Sequence, residues 1–304
     1  MIDRYIYGTV TRISPEAPVP IVLKQRTEEH PGGAANVALN LRALGAEVHL
    51  VSVVGTDDAG DLVRLLSSNG IGHQSLVLDK DRPTTIKTRI MAGKQQLLRI
   101  DSETNSSISE DIEAALLAKI AKLAQKGCDA IILQDYNKGV LTENIIGGTM
   151  DLARQLGCLT AVDPKFDNFF SYTGATLFKP NLKETRDALK INIMPNEHDL
   201  AKVSSQLRDK IRCQNVMITL SELGIFYDDD IQNGILPTQA RHIADVSGAG
   251  DTVISVATLA LAAGLQMRDV AHIANMAASL VCKSPGVVAV DRAELFHTLT
   301  INQS

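Results

Sequence analysis

From about residue 33 the sequence alternates between two hydrophobic periods, and this limits the folds open to it. AANVALNLRALG places Val37, Leu41 and Leu44 at helical spacing, and EVHLVSVVG follows as a short apolar strand. The couplet then repeats. IEAALLAKIAKLAQKG carries Ile112, Leu116, Ile120 and Leu123 on one face and leads into DAIILQD. LTENIIGGTMDLARQLG leads into CLTAVD, and HDLAKVSSQLRDKI into NVMITL. Helices alternating with fully apolar short strands predict an α/β chain whose mainly parallel sheet is covered on both faces. With 304 residues, 45% of them hydrophobic, such a chain can bury a sizeable core.

Two segments break the rhythm. Residues 18–28 (PVPIVLKQRTE) and 84–101 (TTIKTRIMAGKQQLLRID) alternate apolar and polar positions, and the second contains an Ala92-Gly93-Lys94 hairpin signal. Half-buried antiparallel strands inserted into an α/β chain predict a small sheet standing off the main body, as a lid, an oligomer interface, or both. No repeat, low-complexity tract or linker divides the chain, so 1–304 reads as one domain with lid strands inserted at about 12–28 and 82–101.

Composition excludes several classes. A net charge of −5, with Lys and Arg scattered, argues against nucleic acid as a partner. The four cysteines show no metal-binding spacing and suit a reduced cytosol. The start MIDRYIYG has no signal-peptide pattern, and no window has eighteen uncharged apolar residues, so a soluble cytoplasmic protein away from the membrane is expected.

The chemistry-bearing segments are rich in glycine. DVSGAGDTVIS (245–255) opens a buried helix on Gly248, Ala249, Gly250 and Asp251. A helix N-terminus carries unpaired N–H groups and partial positive charge, and small residues let an anion approach them. Asp251 would repel that anion unless it faces a hydroxyl, as a base taking its proton. The bland alternative is an acid that simply favours the helix dipole. PGGAANVALN (31–40) is a second Gly-rich helix entry, in which Asn36 either meets a polar ligand or packs in a tight loop. In KPNLKET (179–185), Asn181 and Glu184 form an imperfect capping box or hold the water shell of Mg²⁺. A Walker A motif and a GxGxxG after a strand are both absent.

Together these segments resemble the ribokinase-like (PfkB) carbohydrate kinases from Asp3 to about residue 296, through PGGAANVA, KPNLKE, TLSELG, DVSGAGDT and ANMAASLV. Within that family, RISPEAPVPIV, RPTTIKTRIMAGKQQLLRID and VDPK look like the D-glycero-D-manno-heptose 7-phosphate kinases. Those enzymes make the 1,7-bisphosphate on the route to ADP-heptose for lipopolysaccharide. The resemblance implies a three-layer α/β/α sandwich with a small β lid, and ATP and Mg²⁺ as co-substrate and metal. It leaves a monovalent cation open.

It also implies roles. Asp251 matches the catalytic base, and the amides of Gly248, Ala249, Gly250 and Asp251 the anion hole. Asp3, Gly32, Gly33 and Asn36 match sugar-hydroxyl positions. Asn181 and Glu184 match the element supporting Mg²⁺ through water and the nucleotide phosphates. Thr219, Ser221 and Gly224 resemble the nucleotide loop, Asn275 lies near the adenine pocket, and Lys165 is a partner for nucleotide phosphate.

A phosphorylated sugar also needs cations for its distal phosphate. Lys87 and Arg89 share one face of their strand, with Arg99 and Arg12 nearby, unless this is simply a solvated face. A homodimer through the lid strands is expected from the family. Relatives begin with an apolar strand ending in Gly-Asp, whereas only Met1 and Ile2 precede Asp3 here. An interior strand is therefore expected to be missing, leaving Asp3 without its usual support. No HxGH motif occurs, so the nucleotidyltransferase activity of bifunctional relatives is not expected. The competing readings are a kinase for ribose, fructose or a nucleoside, and a non-catalytic sugar-phosphate or nucleotide binder.

Overall fold

The computed structural model describes residues 1–238, 243–284 and 286–301. In chain order the first half comprises β1 (Ile2–Ile13), β2 (Pro20–Pro31), α1 (Ala34–Ala43), β3 (Ser52–Val54), α2 (Ala59–Ser68), β4 (Leu76–Leu78), β5 (Ile86–Ala92), β6 (Gln95–Ser102), α3 (Glu110–Ala124), β7 (Ala130–Gln134) and α4 (Glu143–Leu156). The second half comprises β8 (Leu159–Asp163), β9 (Leu177–Phe178), α5 (Leu182–Leu189), α6 (Glu197–Ile211), β10 (Asn215–Thr219), β11 (Ile225–Asp228), β12 (Asn233–Leu236), α7 (Ala249–Ala262), α8 (Met267–Val281) and α9 (Arg292–Ile301).

The six-stranded sheet runs in the order β12-β11-β10-β9-β8-β7. Strands β7 to β10 are parallel, and β11 and β12 continue the sheet antiparallel. Successive side chains point to opposite faces of a strand, and here each face meets its own core. Ala161, Leu177, Met217, Ile225 and Tyr227 pack with residues of α7 and α8. Their neighbours Val162, Phe178, Val216, Ile218 and Phe226 pack with residues of α4 and α6. This two-sided burial is why the strands carry few polar residues, and it yields the expected three-layer α/β/α arrangement.

A separate four-stranded sheet, in the order β2-β1-β5-β6, forms the lid. The hairpin signal is met: Gly93, at φ 60°, turns β5 into β6. The lid is larger than the expected segments, because β1 belongs to it from Ile2 onward, between β2 and β5. The expectation that Asp3 lacks support is overturned by this pairing. Ile2 N–H donates to Thr85 O at 2.9 Å and Gly32 N–H to Met1 O at 3.0 Å. Asp3 is thus in register with His30 on one side and Lys87 on the other.

Strands β3 and β4 form a parallel pair of their own, packed with α1, α2 and α3. Each of β3 and β7 presents one edge that no strand among the described residues pairs with.

Candidate active site

Four parallel strands and one helix deliver polar groups to a single open cleft of about 140 Å³. Gln134 ends β7 and Asp163 ends β8, Lys179 follows β9, and Thr219 ends β10. The N-terminus of α7 faces them with Gly248, Gly250 and Asp251. Open parallel sheets bind ligands at the carboxyl ends of their strands because the loops and helix N-termini gather there.

Helix α7 starts with no side-chain cap. Gly248 takes the N-cap in the left-handed region at φ 81°, and a Cβ there would stand 2.7 Å from Asn36 Nδ2. Only glycine fits both demands. Ala249 N–H turns back to Val246 O at 3.2 Å, while the helix offers no partner to the N–H groups of Gly250 and Asp251. An anion at this end meets those donors together with the dipole.

Asp251 is buried, at 5% exposure. Its Oδ2 accepts from Asn36 Nδ2 at 2.8 Å, and its Oδ1 from Tyr136 Oη at 2.9 Å and Gln134 Nε2 at 3.2 Å. Burial pushes its pKa up to about 7, with Asp163 adding to the rise, against the opposing pull of Asn36, Tyr136 and Lys179. Near neutral pH the group is therefore poised to take a proton from a hydroxyl.

Two ion pairs line the opposite wall. Lys179 Nζ lies 3.1 Å from Asp163 Oδ2, both residues buried. Lys165 pairs with Glu184. Burial lowers the Lys165 pKa, but Asp163 and Glu184 carry it above its ordinary value, so it keeps its charge.

The sequence-predicted residues divide into three groups. Gly248, Gly250, Asp251, Lys165, Asn181, Glu184 and Thr219 line the one cleft, and Ala249 opens its helix. The capping box is complete rather than imperfect: Asn181 Oδ1 accepts Glu184 N–H at 2.8 Å, and Glu184 Oε2 accepts Asn181 N–H at 2.9 Å. Ser221, exposed at φ 56°, and Gly224 bound a 3₁₀ turn joined by Gly224 N–H to Ser221 O.

A second group is present but committed elsewhere. Asn36 is fully buried and gives its amide to Asp251, so it acts on a ligand only through that carboxylate. Asn275 donates to Leu236 O and Pro237 O at 3.2 and 2.9 Å and holds the strand exit beside it. Asp3 lies against Gly32 and binds Arg89 Nη1 at 2.5 Å. Gly33 caps α1 ahead of Asn36.

The third group is the lid cations. Lys87 and Arg89 do share a face, but each already has its carboxylate. Arg89 pairs with Asp3, Lys87 with Asp101 and Glu103 at 3.1 and 3.0 Å, and Arg99 with Asp101 at 2.9 Å. The expectation of neighbouring cations open to a phosphate did not count these acids from adjoining strands. Arg12 is exposed near the far end of β1.

The profile of the pfkB family carbohydrate kinases matches residues 1–293. The chain belongs to this family. It is 40% identical over 306 residues to the bifunctional protein HldE of Methylobacillus flagellatus, and 42% identical over 301 residues to that of Paramagnetospirillum magneticum. These alignments cover 100% and 98% of this chain but only 62% and 61% of the relatives' own length.

Among solved structures, phosphofructokinase-2 from Escherichia coli in complex with potassium superposes with a TM-score of 0.83 at 17% identity, covering 100% of this chain and 96% of that one. Arabidopsis thaliana ribokinase complexed with ribose and ATP gives 0.75 at 15% identity, covering 98% and 95%. At such identities the superpositions establish the fold, ribokinase-like α/β. The family makes the chain a carbohydrate kinase, for which ATP is the implied phosphoryl donor. No helix among the described residues is long and apolar enough to cross a membrane.

Four residues escaped sequence reasoning as site residues: Tyr136, Asp163 and Lys179, which line the cleft, and Gln134, which bonds to Asp251 and Asp163 beside it. Each sits at, or one or two positions beyond, the carboxyl end of an apolar strand. That position was a signal available in the sequence.

Proposed function

We propose that this carbohydrate kinase transfers the γ-phosphoryl group of ATP to the anomeric hydroxyl of D-glycero-D-manno-heptose 7-phosphate, with Asp251 as the base. The observation that carries the catalytic half is the buried Asp251 carboxylate, with its pKa near 7, at the uncapped start of α7. The substrate half is supported by the HldE relatives at about 40% identity, as a reading of the matching part of those longer proteins.

In this reading the acceptor hydroxyl gives its proton to Asp251 as its oxygen bonds to phosphorus. The bridging P–O bond breaks, and ADP leaves with that electron pair. The N–H groups of Gly250 and Asp251 receive the charge that builds on the phosphoryl oxygens, and Lys179 and Lys165 flank them. Asp3 and the Gly32-Gly33 turn hold sugar hydroxyls, and Arg89 fixes the Asp3 carboxylate that does so. Thr219, Ser221 and Gly224 contact the nucleotide, with Asn275 behind them.

The donor set suits hydrated Mg²⁺. One Glu184 oxygen meets Lys165 and the other the Asn181 N–H, so both are engaged and a metal would be met through its waters. When bound, Mg²⁺ supplies charge neutralisation on the β- and γ-phosphates. A monovalent cation belongs to the same proposal, prompted by potassium in the phosphofructokinase-2 structure. So do a cytoplasmic setting and a homodimer through the lid, whose strands expose Leu23, Leu98 and Ile100 at 52–56%.

The test is ADP release over a panel of heptose 7-phosphate, fructose 6-phosphate, fructose and ribose, with and without Mg²⁺ and K⁺. Turnover should be greatest with heptose 7-phosphate and lost in Asp251→Asn. Preference for an unphosphorylated sugar would reject the substrate. Turnover in Asp251→Asn would reject the base.

A further inference from the structure

Asp251 has a neighbour that no part of the kinase reading yet uses. Tyr136, two residues beyond β7, places its hydroxyl 2.9 Å from Asp251 Oδ1. Its ring lies over Gly33, and the Lys165 ammonium stands 5.8 Å from the ring centroid on the cleft side. Gln134, at the last position of β7, extends Nε2 to the same Oδ1 at 3.2 Å and to Asp163 Oδ2 at 3.0 Å. An amide oxygen turned that way would face two carboxylates, so the nitrogen is the atom that points at them.

An ionised carboxylate offers about four acceptor positions, two on each oxygen. Tyr136 and Gln134 take both on Oδ1. Asn36 takes one on Oδ2, leaving a single position there for a substrate hydroxyl.

We propose that Tyr136 and Gln134 are positioning residues: together they saturate Oδ1 of Asp251, direct the accepting lone pair to Oδ2, and favour the ionised form of the base. This rests on the reading of Asp251 as the base. Towards that carboxylate the phenol is the donor, because burial, with Asp251 and Asp163 beside it, holds its pKa well above the usual tyrosine value and keeps its proton in place. The charged groups facing Asp251 are Asp163 from β8, Lys165 from the loop after β8 and Lys179 after β9. Asp163 raises the Asp251 pKa, and the two lysines oppose it. The two neutral donors on Oδ1 add to that opposition without adding charge to a cleft that must admit a polyanion.

The test reads ionisation and turnover separately. The ¹³C carboxyl resonance of Asp251, assigned by its loss in Asp251→Asn, is titrated in wild type, Tyr136→Phe and Gln134→Leu. Tyr136→Phe keeps the ring on Gly33, and Gln134→Leu is the second variant should the first fail to fold. A lost hydrogen bond to a charged group should raise the midpoint by about one pH unit in either variant. The acid limb of kcat/KM for heptose 7-phosphate should move by the same amount, with sugar KM at high pH within about twofold of wild type.

A midpoint that stays in place in both variants overturns the proposal. So does a KM rise without a limb shift, since Tyr136 would then be contacting the sugar. If instead Asp251→Asn turns over while the titration shifts as expected, the base assignment has failed and the clamp on Oδ1 stands.

Discussion

Replacing Asp251 with asparagine should stabilise the protein, and do so in a pH-dependent way that the site geometry dictates. The carboxyl group titrates at 3.8 when unperturbed and at about 7 in the fold, where burial outweighs the donors Asn36 and Tyr136 and the charge of Lys179. With the folded-state pKa the higher one, the folded protein holds a proton that the unfolded chain has lost between those values. The contribution to stability is thus complete below 3.8, declines as pH rises towards 7, and is flat beyond it. One pKa unit corresponds to about 1.4 kcal/mol, so the ionised fold is disfavoured on the order of 4 kcal/mol at pH 8.

Asp251→Asn is uncharged throughout and resembles the protonated acid. Its stability relative to wild type should therefore climb by about 2–3 kcal/mol between pH 5 and pH 8. For a chain of this length that is about 4 °C in Tm. Urea unfolding of both proteins at several pH values measures it, and the difference cancels other groups. Among these is the Met1 amino group, which burial lowers to about 6 and whose contribution has the opposite sign. Two parallel curves, or a variant less stable than wild type at pH 8, would refute the reasoning.

Three further outcomes follow from the contacts. Gly248→Ala, at φ 81° and against Asn36, should cost about 1–2 kcal/mol of stability and lower kcat at least tenfold, since the displaced amide is the one holding Asp251; unchanged steady-state kinetics would contradict this. Arg89→Ala leaves the buried Asp3 carboxylate without its partner; it should cost on the order of 3 kcal/mol and raise sugar KM more than tenfold, with partial recovery in Arg89→Lys, as urea unfolding and kinetics would show. Leu98→Lys with Ile100→Glu places charge on the exposed apolar face of β6; light scattering should show a dimer become a monomer, and a dimer that persists would place the interface elsewhere.

The layers were legible in the sequence because the signal for them is local. A helix announces itself by residues three and four apart, and a buried strand by an uninterrupted apolar run. The start of α7 was legible for a similar reason: Gly248 to Asp251 are contiguous, and their backbone does the work. What was not legible depends on register between distant segments. Lys87 and Arg89 were correctly placed on one face, yet the acids that neutralise them are Asp3 on β1, Asp101 on β6 and Glu103 just after it, and only strand pairing brings these together. Asn36 reads as a ligand contact until a residue 215 positions away takes its amide.

The overlooked residues have one thing in common that needs no tertiary information. Gln134 and Asp163 are the polar ends of apolar strands, as the predicted Thr219 is, and Lys179 and Tyr136 lie one and two residues past such an end. In a sheet buried on both faces a polar side chain is tolerated only where the strand leaves its cover, and in a parallel sheet those exits all lie on one edge, facing the helix N-termini. The hydrophobic alternation that establishes the fold therefore also marks its cleft, through the positions where the apolar runs stop.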